Sequence, residues 1–493
     1  MGGITAIYAI KPDQSMLKRM TDPLSHRGHA ETAVFSCGDR AFLHTHLSNG
    51  EGPNPPVVNA SGNLCIAFSG RLYNRRHLLK QISPDPAFAG QSDAELVLRL
   101  YEEQGRECAA LLDGSFAFVI ADAEKGLFIA RDPLGLKPLY FSEKDGDIYL
   151  ASEMKGLAEV VSEFQEFPEG SIYQTGIGFQ RVFALSEGNT EWITMMPEAI
   201  AAIHERVAEA VAKRIVPDAR MGVFLSGGLD SSIIAAVTAR ALPGVDTFAV
   251  GVAGSEDLRH ARLCADLLGT NHHEYIYDLE EMLSLLPTVI RHLESFDAAL
   301  VRSSVPNYIL ARLAAKTAQV VFTGEGADEL FCGYQYMKEM PEAEMKQEIF
   351  DVLGTLHNTN LQRGDRMAMA HSVEAHVPFL DLDFIKLAFQ IPIGLKIGPE
   401  NQEKWALRQA YAEWIPEEIV YRKKQKFSHG AGSYLAMAEV AEKTISDEAF
   451  ACESVTQGGH RIQNKEELMY YRIFREQFPQ LSVEKAIGFS KSL

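Results

Sequence analysis

Seven consecutive residues, Ser226-Gly227-Gly228-Leu229-Asp230-Ser231-Ser232, carry the most specific chemical signal in this 493-residue chain. Two adjacent glycines let a backbone approach a polyanion closely. At the start of a helix their amides aim N–H groups, and the positive end of the helix dipole, at that anion. Ser226, Ser231 and Ser232 add hydroxyl donors. Asp230 would repel a phosphate unless a cation lay between them, so it is expected to hold Mg²⁺, which bridges to phosphate oxygens. The loop lacks the lysine of the GxxxxGK[ST] phosphate loop. A plain strand–turn–helix with a Ser or Asp cap is the simpler alternative. A bare Ser-Gly-Gly would satisfy it, but the full run after Val223-Phe224-Leu225 is far more specific.

The elements around the loop support a nucleotide site. Gly222–Leu225 reads as a short buried strand, and Ser232–Leu242 as the helix after the turn. Thr247–Val250, Glu274–Tyr277 and Gln319–Phe322 read as further strands, with Leu258–Leu268 as a second helix. Alternating strands and helices predict a doubly wound parallel sheet, whose ligands bind at the carboxyl ends of its strands. An amphipathic helix begins near Pro197, and the tail after about Asp381 reads mostly helical. The first ~180 residues differ. Ile4–Ile10, Ala41–Leu47, Leu64–Phe68, Ala117–Asp122, Gly126–Ala130 and Ile148–Ala151 are strand-like, with helical patterns at Asp13–Met20 and Ser92–Gln104. Such mixing predicts an α+β layered domain. The polar stretch Leu185–Thr190 reads as a linker, giving expected domains at 1–185 and 196–493.

Composition narrows the function class. Hydrophobic residues make up 46% and charged residues 23%, as in ordinary globular proteins. The net charge of −19 argues against nucleic acid or an anionic membrane surface as the main partner. The six cysteines show no CxxC pair or metal-finger spacing, which fits a reducing compartment. No signal peptide or apolar run of about 18 residues is visible, so a soluble cytoplasmic protein is expected.

Beyond the loop, the chain resembles asparagine synthetases. The likeness runs through Thr247–Gly251, Leu268–Glu274, Thr323-Gly-Glu-Gly-Ala-Asp-Glu-Leu-Phe331, Arg363–Arg366, Val373–Asp381 and Lys424–Gly430. β-Lactam synthetases, built on the same plan, are the other family that it is similar to. The resemblance implies ATP and Mg²⁺ as cofactors and an acyl-adenylate made with release of pyrophosphate. It places Asp230 and Asp328 on the metal, Leu225 and Val250 against adenine, and Thr323 and Gly324 beside the nucleotide. Lys424 becomes the lysine that stabilises the transition state, with Lys426 as a rival. Glu325 becomes a carboxylate that orients or deprotonates the incoming amine. Arg302, Asp328 and Tyr334 border an amino-acid-like carboxylate substrate, and a homodimer is left open.

Two departures lie near the expected substrate pocket. Ala299-Leu300-Val301-Arg302 stands where asparagine synthetases have Thr-Thr-Ile-Arg, and His376 stands where they have arginine. These changes put plain aspartate in doubt.

The first domain resembles a class II glutamine amidotransferase of the αββα, Ntn-hydrolase-like type. That chemistry needs an N-terminal cysteine thiol, but the chain begins Met1-Gly2-Gly3. His46 stands for the family's glutamine-binding arginine, and Ser69-Gly70-Arg71 for Asn-Gly-Glu. The stretch His26–His29 lacks the usual proline and aspartate, whereas Asp93 and Arg131–Gly135 are kept. Glutaminase activity is therefore expected to be absent. The favoured expectation is an amide or lactam synthetase of specialised, antibiotic-type metabolism. An ammonia-dependent asparagine synthetase and a catalytically silent regulatory homologue are the alternatives.

Overall fold

The computed structural model describes residues 2–10, 13–28, 34–37, 40–45, 56–82, 92–183, 193–423 and 433–490. The chain forms two compact units. The first comprises Met1–Ala184 with Met369–Ser372 and Arg475–Gly488, and the second comprises the remainder.

Among the described residues the first unit holds two six-stranded sheets. One contains β1 (Ile4–Tyr8), β2 (Val34–Cys37), β3 (Ala41–Thr45), β8 (Tyr140–Lys144), β9 (Asp147–Ala151) and β10 (Gln165–Glu166), in the order β10-β8-β9-β1-β3-β2. The other contains β4 (Val57–Val58), β5 (Leu64–Leu72), β6 (Gly114–Asp122), β7 (Gly126–Arg131), β11 (Ser171–Gln174) and β12 (Gly178–Arg181), in the order β12-β11-β7-β6-β5-β4.

Strand β6 shows why two cores exist. Alternate side chains of a strand face opposite ways. Phe116, Phe118 and Ile120 join the core formed with Leu96, Val97, Leu100 and Tyr101 of the Asp93–Gln104 helix. Ala117, Val119 and Ala121 join the core shared with Ile4, Ala6 and Leu43 of the other sheet. On β6 itself the smaller side chains face the other sheet and the larger ones lie beneath the helix. The Gln14–Thr21 helix packs on β1 and β3, completing an αββα sandwich. The helical reading near Ser92 holds, with Ser92 Oγ accepting from the Glu95 amide at 3.1 Å.

The second unit carries a five-stranded parallel sheet: β13 (Met221–Phe224), β14 (Asp246–Gly251), β15 (Asn271–Ile276), β16 (Val320–Phe322) and β17 (Glu374–His376). Its order is β15-β14-β13-β16-β17. From β13 the chain builds outward one way to β15, then returns to build the other way. The order therefore reverses between β13 and β16, and ligands of doubly wound sheets bind at that crevice. The helices Met196–Lys213, Leu229–Ala241 and Glu256–Leu268 form one packed layer; Leu279–Leu293 and Ala298–Ala314 form another, against β14 and β15. The helix after the Gly-rich loop begins at Leu229, not at Ser232 as expected, so Asp230 lies in its first turn. No helix among the described residues is long and apolar enough to cross a membrane.

Candidate active site

The Ser226–Ser232 turn joins β13 to the Leu229–Ala241 helix, at the carboxyl end of the first strand. The Leu225 amide donates to the Phe248 carbonyl at 2.8 Å, and buried Leu225 and Val250 mark the ends of adjacent strands. Gly227 has φ +72°, and a Cβ there would lie 2.6 Å from the Asp257 carbonyl oxygen. Only glycine suits both the backbone angle and that approach. The Ser231 hydroxyl folds back inside the turn, accepting from the Ser226 amide at 3.2 Å and donating to the Gly228 carbonyl at 3.2 Å. Ser226 Oγ stands 3.0 Å from Ser231 Oγ. Buried Ser232 follows on the helix, its amide donating to the Gly228 carbonyl at 3.1 Å.

The segment after β16 closes on this turn. A Cβ at Gly324 would sit 2.8 Å from the Ser231 nitrogen and 2.9 Å from the Asp230 carbonyl carbon. Thr323 donates its amide to the His376 carbonyl at 2.9 Å, while its buried Oγ1 has no hydrogen-bond partner among the described residues. An orphaned hydroxyl beside a glycine cradle suits a polar ligand.

Asp230 and Asp328 meet through a residue that sequence reasoning missed. The Lys404 ammonium lies 2.6 Å from Asp230 Oδ2 and 2.6 Å from Asp328 Oδ1. Lys404 is buried, has left-handed φ of +58°, and immediately precedes the Trp405–Tyr411 helix. Its one sequence signal was the run Glu403-Lys404-Trp405, which has no motif spacing of its own. Two carboxylates that both reach one ammonium also fit one divalent cation. Mg²⁺ commonly takes one or two carboxylates and completes its shell with phosphate and water. No cluster of three or more metal-type ligands occurs among the described residues.

The other acidic groups lie alongside. Glu325 pairs with Arg363 at 2.5 Å, and Arg363 also donates to Ser303 Oγ at 3.1 Å. Burial, with Asp328 and Glu325 nearby, pushes the Glu329 carboxyl up to about 7. Tyr334 donates its hydroxyl to Glu329, and Asn360 Nδ2 donates to the same oxygen at 3.1 Å. Tyr334 is thus tied to this acidic group rather than standing clear of it.

Arg302 lies on the Ala298–Ala314 helix next to Ser303, but its guanidinium fork grips Glu466. Nε donates at 2.9 Å and Nη2 at 2.7 Å, and the Tyr470 hydroxyl holds the same carboxylate at 2.7 Å. The expectation of a guanidinium presented to substrate meets an internal carboxylate in that role. His376 is buried in β17, with Nε2 against Glu374 and Nδ1 3.1 Å from the Arg214 carbonyl. Its side chain serves the sheet's interior. Lys424, Lys426 and His46 lie outside the described residues. Just before Lys424, Arg422 donates to the Gly227 carbonyl at 3.1 Å and to Asp257 at 2.6 Å.

In the first unit the Gly2 carbonyl accepts from Ser69 Oγ at 2.7 Å and from Arg27 Nε at 3.3 Å. Asp93 accepts from the Leu72 amide at 2.9 Å and pairs with Arg75 at 2.8 Å.

Residues 202–351 and 338–486 match the asparagine synthase family, and residues 1–177 match the glutamine amidotransferase domain. An asparagine synthetase [glutamine-hydrolyzing] of Asparagus officinalis is 34% identical over all of this chain and 88% of its own length. Asparagine synthetase [glutamine-hydrolyzing] 1 of Arabidopsis thaliana is 33% identical over 99% of this chain and 88% of its own. The chain belongs to the asparagine synthetase family. Membership makes it a carbon–nitrogen ligase of that family, with the Gly-rich turn and the Thr323–Phe331 segment following neighbouring strands of one sheet and Lys404 reaching both from the start of the Trp405–Tyr411 helix. In the more distant member of Dictyostelium discoideum, a probable asparagine synthetase [glutamine-hydrolyzing], identity is 32% over 97% of this chain.

Proposed function

We propose that this protein adenylates the carboxylate of an amino-acid-like substrate with ATP, releasing pyrophosphate, and then forms an amide or lactam without using glutamine. The observation that carries the first step is the convergence of Asp230, Asp328 and Lys404 beside the Gly227–Gly228 turn. A carboxylate is a poor electrophile until its oxygen is attached to the ATP α-phosphorus. That bond forms as the bond to pyrophosphate breaks, and the departing charge must be neutralised. The turn amides and the serine hydroxyls would receive the phosphates, with Thr323 and Gly324 along one side. Leu225 and Val250 would meet adenine. Asp230 and Asp328 would hold Mg²⁺, which neutralises polyphosphate charge when bound. Lys424 would face the transition state.

In the second step an amine nitrogen attacks the acyl carbon and AMP leaves. Glu325, held in direction by Arg363, would orient that amine and take its proton. Where the amine belongs to the substrate, folding both groups together supplies much of the rate.

Three features support a nitrogen source other than glutamine. Gly2 has no side chain, the Ser69 hydroxyl is engaged by the Gly2 carbonyl, and Asp93 is engaged by Arg75. The relatives named above carry glutamine hydrolysis in their names, so this is where the chain departs from them. Glu325 with Arg363 favours a second reading, an ammonia-dependent asparagine synthetase.

The deciding experiment supplies Mg-ATP with aspartate and ammonium, then with β-amino or diamino carboxylates and no other nitrogen. AMP, pyrophosphate and product mass are recorded. Loss of one water from a substrate without added amine supports cyclisation; asparagine from ammonium supports the second reading. Absence of pyrophosphate across a broad panel contradicts both.

A further inference from the structure

We propose that Lys404 is an internal counter-cation that blocks nucleotide-free metal binding, so that the divalent ion enters only with the polyphosphate. The proposal rests on the reading of Asp230 and Asp328 as cation ligands. Both carboxylates contact one ammonium at 2.6 Å, so the position between them is already served by a positive charge. Two carboxylates and one ammonium leave a single net negative charge. A divalent ion added there would sit against the lysine within a few ångströms, in a buried setting where like charges repel strongly. A triphosphate changes that balance. Its oxygens give the metal ligands that two carboxylates cannot, and they give the ammonium a new partner.

The fold holds Lys404 in this place by specific means. Its backbone adopts φ +58° although it is not glycine, with its amide donating to the Phe331 carbonyl at 3.2 Å. Gly333 leaves room for its stem. A Cβ at Gly333 would lie 2.5 Å from Lys404 Cε and 2.0 Å from Asp328 Oδ1. On the neighbouring position, Glu403 pairs with Lys338 at 2.5 Å and with Arg408 at 2.6 Å. On the other side of its Cα the Lys404 carbonyl accepts from the Arg408 amide at 2.9 Å, so the backbone is anchored and the ammonium is set between the two carboxylates.

The test measures Mn²⁺ binding to the full chain by electron paramagnetic resonance, with and without α,β-methylene-ATP. Without nucleotide, Lys404→Gln should bind Mn²⁺ at least tenfold more tightly than wild type. Lys404→Arg, which keeps the charge, should remain as weak as wild type. Equal nucleotide-free affinity in wild type and Lys404→Gln overturns the proposal. A second variant serves if Lys404→Gln folds poorly. Asp230→Asn should leave nucleotide-free Mn²⁺ binding unchanged, because the wild type has little to lose; a tenfold loss would overturn the idea. Failure of every protein to bind Mn²⁺ even with the nucleotide overturns this proposal together with the cation reading of the two aspartates. Nucleotide-dependent binding with no effect of Lys404→Gln overturns this proposal alone.

Discussion

Arg302 and Glu466 form a bidentate ion pair, with Nε 2.9 Å and Nη2 2.7 Å from the carboxylate oxygens. Glu466 is buried at 4% exposure and Arg302 is mostly covered at 13%, so the carboxylate has little recourse to water. Removing one partner leaves the other uncompensated. Arg302→Met should therefore destabilise the protein by about 3–5 kcal/mol, and adding Glu466→Gln should restore much of that loss. Urea denaturation of the single and double variants measures this. If Arg302→Met costs nothing, the pair is not what holds Glu466.

The Gly-rich turn gives a second expectation. At Gly227 a methyl group would meet the Asp257 carbonyl at 2.6 Å and the Ala261 nitrogen at 2.7 Å, on a backbone with φ +72°. Neither obstacle is a flexible side-chain end. Gly227→Ala should move the turn and weaken ATP binding at least about tenfold, a loss of roughly 1.4 kcal/mol. Isothermal titration with α,β-methylene-ATP reads it. Gly354→Ala, where no atom lies within 4 Å of the added carbon, serves as the control.

Glu325 separates the two chemical steps. Glu325→Gln should keep carboxylate-dependent exchange of pyrophosphate into ATP within a few-fold of wild type. Its amide-forming rate should fall by about 10²–10⁴, the usual contribution of a positioned acid or base. Equal losses in both assays would place Glu325 in the adenylation step instead.

Lys396 supplies a pH dependence outside the site. It is buried, with its ammonium 5.5 Å from the centre of the Phe331 ring, and burial lowers its pKa from 10.5 to about 8. Below pH 8 the folded protein bears the full cost of a buried charge. Between pH 8 and 10.5 the unfolded chain binds the extra proton, so this residue's contribution to stability rises with pH. Lys396→Met should be more stable than wild type at pH 7, by up to roughly 3 kcal/mol. The gap should narrow by pH 10. Paired thermal melts at both pH values check the sign; a gap that widens with pH contradicts it.

Much of this fold was legible because its signals are local. Short apolar runs bounded by turn residues marked β5, β6 and β7, and the strand–Gly turn–helix pattern marked β13 and its loop. Strand β17, three residues long, escaped because Glu374-Ala375-His376 takes its partner, β16, from residues over fifty positions earlier. The same limit hid Lys404. Nothing within its own sequence neighbourhood requires an ammonium between Asp230 and Asp328; tertiary folding alone brings the three together. Arg302 shows the converse. Its neighbours suggested an anion site, and its partner Glu466 lies 164 residues away.

The measurement that bears most directly on the central claim follows oxygen. Aspartate and the β-amino and diamino carboxylates, each labelled with ¹⁸O in the carboxylate, are incubated with Mg-ATP, and the nucleotide products are analysed by mass spectrometry. Attack on the α-phosphorus predicts AMP carrying one ¹⁸O from whichever substrate turns over, in step with pyrophosphate. ADP with ¹⁸O in inorganic phosphate, or unlabelled AMP alongside amide product, would contradict an acyl-adenylate at this site.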